Sequence, residues 1–177
     1  MATEMEYELT YLVKRLPEEI EGMTGEYLSN TYVPETAKHA YLRLRQRGET
    51  YVITKKYLVS DADLSERVEE TISLTKEEYE ALVTSSTKND MKWRYKVIIG
   101  GRVAEVDVHV GKLKGLVKID FEFASNEEKA AFVAPEVCLA DVTQEEAFAG
   151  GYLSGKSYED IEPVLKKYGY KKLEVRL

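Results

Sequence analysis

Cysteine is almost absent. The 177-residue chain has one, Cys138, so no disulfide can close within it. Cys138 lies in the apolar run 132–139, where it is expected to pack as a small hydrophobe rather than act as a reactive thiol. Histidine occurs twice, at His39 and His109, far apart in the chain and without metal-ligand spacing. His109 is expected to be a satisfied structural residue. No apolar run approaches the roughly 18 residues needed to span a membrane. The N-terminus has no basic region followed by an apolar stretch, so no signal peptide is expected and a cytoplasmic location is the default. With only four prolines, no Pro/Gly-rich linker, no low-complexity run and no internal repeat, residues 1–177 read as one domain.

Positive charge is also in deficit. Lys plus Arg is 25 against 32 for Asp plus Glu, a net charge of −7. That balance argues against a general nucleic-acid or membrane-surface partner. It does not forbid a local basic site for an anion. Hydrophobic residues make up 44%, enough for a sizeable core, and charged residues 32%, a share that must go to a surface or line a wet cavity.

What is present is alternation with period two, the mark of strands with unlike faces. From about Glu4 to Val13, Glu4, Glu6, Glu8 and Thr10 share one face and Met5, Tyr7, Leu9 and Tyr11 the other. Further strands are expected at Gly25–Val33, Ala40–Arg47, Thr50–Leu58, Arg67–Leu74, Met91–Ile99, Arg102–Val110 and Gly115–Ala124. Gly100-Gly101 reads as a hairpin turn. Thr75 and Glu78 have capping-box spacing for a helix to about Thr84. Pro17-Glu18-Glu19 looks like a helix start, Ser125 like the cap of a helix to about Val133, and Ser157–Tyr168 like a last amphipathic helix. About eight antiparallel strands with short turns favour a barrel or sandwich.

Alternation ordinarily means apolar inside and polar in water. The polar faces here are unusual, because they carry like-charged pairs at spacing two: Glu6 and Glu8, Arg43 and Arg45, Lys92 and Arg94, Glu105 and Asp107, Asp120 and Glu122. Such pairs repel unless opposite sets meet across a shared space. A closed eight-stranded barrel provides that space. Inward carboxylates would hold a divalent cation through oxygen, and inward Arg and Lys would hold phosphate oxygens. The apolar outer face would then need covering, for which the amphipathic helices are candidates.

The same residues resemble the CYTH superfamily of triphosphate tunnel enzymes. The opening motif E-x-E-x-K is similar to Glu6-Tyr-Glu8-Leu-Thr10, followed by Tyr11-Leu12-Val13. Gly25-Glu-Tyr27-Leu28-Ser29 resembles the next element. Arg43-Leu-Arg45 resembles the R-x-R strand, Thr54-Lys-Lys56 the T-x-K strand and Arg67-Val-Glu69-Glu-Thr71 the R-x-E-x-E strand. Lys92-Trp-Arg94-Tyr95, Glu105-Val-Asp107, Gly115-Leu116 and Asp120-Phe-Glu122 complete the series, which runs in order over residues 4–154.

This resemblance implies a mainly β, α+β fold: a closed eight-stranded antiparallel barrel with peripheral helices and a tunnel for a triphosphate-containing small molecule. It implies Mg²⁺ or Mn²⁺ bound by Glu6, Glu8, Asp120 and Glu122. It also implies phosphates held by Arg43, Arg45, Lys56, Lys92 and Arg94, with Tyr27 near the mouth. Glu69 is implied in catalysis, through a second metal or an oriented water, and Arg67 and Asp107 in orienting neighbours. A homodimer is left open.

Two positions depart from the pattern: Thr10 replaces the motif's lysine and Thr71 its second glutamate. Three functions therefore compete. They are hydrolysis of an inorganic or organic triphosphate, cyclisation of ATP as in class IV adenylyl cyclases, and binding without catalysis. Among residues given no role, Lys112, Lys114 and Lys118 are expected to form a solvated face, and most of the thirteen tyrosines to pack.

Overall fold

The computed structural model describes residues 2–60 and 63–175. Nine strands are present among them: β1 (Ala2–Val13), β2 (Glu26–Val33), β3 (Leu42–Arg47), β4 (Thr50–Ser60), β5 (Asp63–Leu74), β6 (Asn89–Ile99), β7 (Arg102–His109), β8 (Val117–Phe123) and β9 (Cys138–Asp141). The sheet runs β5-β4-β3-β2-β6-β7-β8-β1, and β1 also pairs with β5, so eight antiparallel strands close into a barrel. The closing strand divides its free edge. Its first half pairs with β5 at Ala2–Tyr7, and its end pairs with β9 at Tyr11–Val13, outside the barrel.

Local chemistry sets several boundaries. Gly100 and Gly101 both have positive φ, 61° and 80°, as the tight β6–β7 hairpin demands. Helix α1 (Lys76–Val83) begins with the Thr75/Glu78 capping box, and α2 (Asn126–Ala130) with Ser125 accepting from the Glu128 N–H. Helix α4 (Tyr158–Lys167) has its own box, Ser157 with Asp160.

Several expectations are corrected. The Pro17-Glu18-Glu19 signal produces only a 3₁₀ turn at Glu18–Ile20, and α2 stops three residues short of Val133. Strand β9 and the short helix α3 (Gly150–Leu153) carry too little periodicity to read beforehand. The side chain of Glu4 lies outside the described residues.

The hydrophobic core sits outside the barrel wall. Val106, Val108, Ile119 and Phe121 are fully buried on the outer face of β7 and β8, where Phe132, Val137, Cys138 and Val175 pack against them. Full burial of a side chain such as Phe121 contributes about 1.5–3 kcal/mol. Cys138 packs in this layer, and burial pushes its thiol up to about 11, out of the reactive range. On the opposite side α1 lays Tyr79 on Leu44 and Tyr51. Helix α4 does not cover a wall. Its Ile161 and Leu165 join Leu12, Leu116, Phe148 and Leu153 at one end of the barrel. No helix among the described residues is long and apolar enough to cross a membrane.

Candidate active site in the barrel lumen

With apolar side chains turned outward, parity turns the charged ones inward. They line a cavity of about 610 Å³. Eleven of the twelve residues singled out from the sequence border it: Glu6 and Glu8 on β1, Arg43 and Arg45 on β3, Lys56 on β4, Arg67 and Glu69 on β5, Lys92 and Arg94 on β6, and Asp120 and Glu122 on β8.

Tyr27 is the exception. Alternation on β2 sends Leu28 and Tyr32 to the lumen, so Tyr27 points out, exposed, with its ring 5.2 Å from that of Trp93. Tyr32 is the β2 tyrosine that borders the cavity.

One wall, β6–β7–β8, is densely paired. Arg94 bonds Asp107 through Nε at 2.7 Å and Nη2 at 2.8 Å, touches Glu105, and lies 3.6 Å from Asp120. Lys92 also bonds Asp107, which is 0% exposed, and Lys96 reaches Glu105 at 2.8 Å. Burial alone would raise the Asp107 carboxyl, but Arg94 and Lys92 outweigh it and hold it well below the usual carboxylate range.

At the end of this wall, His109 (1% exposed) sets Nδ1 2.8 Å from Asp90 Oδ1. The expected structural histidine is only half satisfied, because His109 Nε2 and Asp90 Oδ2 have no partner among the described residues. Both residues border the cavity. His39, on the same lining, stacks on Tyr41 and sets Nδ1 2.9 Å from Glu146.

The other wall, β3–β4–β5, is short of carboxylates. Lys56 bridges Glu6 at 2.6 Å and Glu69 at 2.9 Å. Burial lifts Glu69, yet Lys56 and Arg43 bring it down to about 2. Thr71 donates to Glu69 at 3.0 Å and lies 2.9 Å from the Thr54 hydroxyl. Among the described residues Arg43 reaches only Glu69, at 3.8 Å, and its buried Nε has no partner. Arg45 Nε donates to the Asn30 amide oxygen at 2.7 Å, and Arg67 Nε to the Leu64 carbonyl at 3.1 Å. Neither is within ion-pair distance of a carboxylate among the described residues. Burial, with Arg43 and Arg94 as like-charged neighbours, pushes the Arg45 guanidinium below its ordinary value. Unpaired, partly desolvated cations of this kind are a site for an anion.

The carboxylates between the walls are crowded instead. Glu8 pairs in register with Glu122, and Thr10, donating at 2.8 Å, with Asp120. Burial raises Glu122, and Glu105 and Glu8 add to it. Burial raises Asp120 too, with Glu8 and Asp107 adding to it against Lys118 and Arg94. Burial likewise raises Glu6 despite Lys56. Glu8 is lowered, because Lys56, Arg67, Lys118 and Arg94 together exceed the effect of burial.

No three metal-ligating groups among the described residues form a ready cage. The donor set nevertheless fits Mg²⁺ or Mn²⁺. It is all oxygen and carries surplus negative charge, and Mg²⁺ is usually held by one or two carboxylates, the rest of its shell being phosphate and water.

Two features escaped the sequence reading. Lys118 is not on a solvated face: it is 6% exposed and lines the lumen beside Asp120, while Lys112 and Lys114 are exposed. Spacing two from Asp120 was the available signal. The second is a cap over the β1 C-terminal end of the barrel, built from residues 142–151. Thr143 accepts from the Thr10 N–H at 3.0 Å, Gln144 bonds Leu64 and Asp63, and the Phe148 carbonyl accepts from Lys118 at 3.1 Å. A Cβ on Gly151 would collide with the Ala40 carbonyl, so glycine permits this close approach.

No family model matches the chain. The inorganic triphosphatase of Nitrosomonas europaea is 30% identical to it over 146 residues, 81% of this chain and 92% of that protein. A solved structure of an inorganic triphosphatase aligns with TM-score 0.61 at 27% identity, covering 84% of this chain and 93% of the other. A Bacillus halodurans protein proposed as an adenylate cyclase aligns with TM-score 0.59 over 100% of this chain and 96% of its own. At 15% identity it shows a common fold alone. The closed barrel, the inward acidic and basic faces and the Nitrosomonas relative together establish that this chain belongs to the CYTH, or triphosphate tunnel, superfamily.

Proposed function

We propose that this protein hydrolyses a triphosphate, inorganic tripolyphosphate or an organic triphosphate, inside the barrel with the help of Mg²⁺ or Mn²⁺. One observation carries the reading: cations without ion-pair partners among the described residues, Arg45 and Arg67 with the orphaned Nε of Arg43, face the crowded carboxylates Glu6, Glu8, Asp120 and Glu122 across one lumen. The activity of the Nitrosomonas relative supports it.

In this reading Arg43, Arg45 and Lys56 hold the phosphate oxygens and fix the chain in line for attack, while Lys92 and Arg94, held by Asp107 and Glu105, shape the facing wall. Glu6, Glu8, Asp120 and Glu122 would hold the metal, which when bound neutralises phosphate charge. Glu69, held to about 2, is a weak base. It is suited to accepting a hydrogen bond from the attacking water and to keeping Lys56 in place, not to storing the proton. The water oxygen bonds to the terminal phosphorus as the bridging P–O bond breaks toward the diphosphate, and the water's proton passes to the released phosphate.

Purified protein with Mg²⁺ or Mn²⁺ is expected to release phosphate from tripolyphosphate, and Glu6→Ala to abolish release. Absence of turnover on tripolyphosphate, ATP, GTP and thiamine triphosphate would sink the hydrolytic reading. A second reading, binding without turnover, draws on Thr10 and Thr71, whose hydroxyls steer Asp120 and Glu69 where the related motifs carry charge. Under that reading Thr10→Lys with Thr71→Glu creates an activity that the native chain lacks.

A further inference from the structure

The opening motif of the family carries a cation at the position of Thr10, and this chain has a cation in an unexpected place close by. In register on the barrel wall, Thr10 stands opposite Asp120, and Leu12 opposite Lys118. Lys118 and Asp120 share the inner face of β8, so Lys118 is the diagonal neighbour of Thr10 across the β1–β8 pair. Long side chains interact at that separation. The Lys118 ammonium and a lysine ammonium at position 10 could serve the same part of the lumen.

The setting of Lys118 matches that task. It is almost fully buried yet borders the cavity. Its ammonium has three donors, and one of them goes to the Phe148 carbonyl at 3.1 Å. No carboxylate among the described residues lies within ion-pair distance of it. A buried lysine with one donor used, facing an anion-sized cavity, is completed by an anion. The bland alternative is a peg that only anchors the cap through Phe148.

We propose that Lys118 supplies, from β8, the phosphate-binding cation that the family motif carries at position 10, so that this tunnel keeps its basic charge by moving it one strand over. The inference rests on the reading of the lumen as a triphosphate site and identifies one more residue that binds the phosphates.

The test is calorimetric titration of sodium tripolyphosphate, beside phosphate release with Mg²⁺. Lys118→Met is expected to bind about 10- to 100-fold more weakly, the loss typical of one charge-assisted hydrogen bond. Adding Thr10→Lys to Lys118→Met is expected to recover most of that loss, which a mere anchor for the cap could not do. Wild-type binding by Lys118→Met overturns the proposal, as does weakened binding in a folded Lys118→Met that Thr10→Lys leaves unimproved.

Thr10→Lys alone avoids any dependence on the folding of Lys118 variants. With the charge already supplied, it gains little; a tenfold gain would mean that position 10 was vacant for a cation and would overturn the proposal. Tight binding without turnover in the wild type removes hydrolysis while leaving Lys118 its role. A wild type that binds no tripolyphosphate removes both.

Discussion

The two walls of the tunnel treat charge in opposite ways. On β6–β7–β8, Lys92, Arg94 and Lys96 are matched by Asp107 and Glu105 at close range, and His109 by Asp90. On β3–β4–β5, Arg43, Arg45 and Arg67 find a carbonyl, an amide oxygen or one carboxylate at 3.8 Å. On the first wall Lys92, Arg94 and Lys96 are neutralised in place. The second ends folding with positive charge left over. Charged residues of similar type and burial thus divide into a frame and a receptor, and what separates them is whether the neighbouring strand carries carboxylates in register. Arg94 pairs across to Asp107 on β7, whereas Arg43 pairs across to Thr54 and Arg45 to Val52 on β4.

The sharpest way to break the comparison is to remove the partner on which the frame converges. Asp107→Ala leaves Lys92 and Arg94 buried without their main counter-charge, and about 3–5 kcal/mol of stability is expected to be lost in urea unfolding. A loss under about 1 kcal/mol would erase the distinction. Arg45→Ala is expected to do the reverse. It removes a cation that lacks an ion-pair partner, so stability should change little. Tripolyphosphate binding should weaken about 10- to 100-fold. Equal stability losses from the two variants would show that both walls are frame.

The smallest effect concerns how the cap is fastened to the receptor wall. Asp63, at the start of β5, accepts from the Ser65 hydroxyl and N–H and from Gln144 of the cap, with Lys129 3.7 Å away. The Ser65 hydroxyl leads in lowering it to about 2. A carboxylate lowered on folding contributes stability above its unfolded value of about 3.9. That contribution is lost as pH falls through about 2. Stability measured between pH 5 and pH 2 should therefore decline less steeply in Asp63→Asn than in the wild type. Identical slopes would remove Asp63 from the account.

Much of the fold was legible because alternation is a local property. The Glu6/Glu8, Arg43/Arg45, Lys92/Arg94 and Asp120/Glu122 pairs named their own faces, and one-signed faces on several strands called for a shared interior. Legibility failed where a strand had no clear polar face or where no strand was read. On β2 the polar residues Glu26, Ser29, Asn30 and Thr31 fall on both faces, so nothing local sent Tyr27 outward and Tyr32 inward. Lys118 was grouped with its loop neighbours Lys112 and Lys114 rather than with Asp120 on its own strand face. Residues 142–151 carry no periodicity, so the cap became visible only where Thr143, Gln144 and Phe148 meet β1, β5 and Lys118.

By itself the sequence determined the eight barrel strands and, on all but β2, their two faces and the chemistry that each face carries, since side chains i and i+2 share a side in any extended chain. Tertiary structure alone decided which charges cancel and which remain. Pairing of β1 with β5 joins residues some sixty positions apart, and that closure turns the acidic and basic faces toward each other. Coulomb energy depends on distance through space, so the same arginine becomes a strut beside Asp107 and an anion receptor beside Thr54.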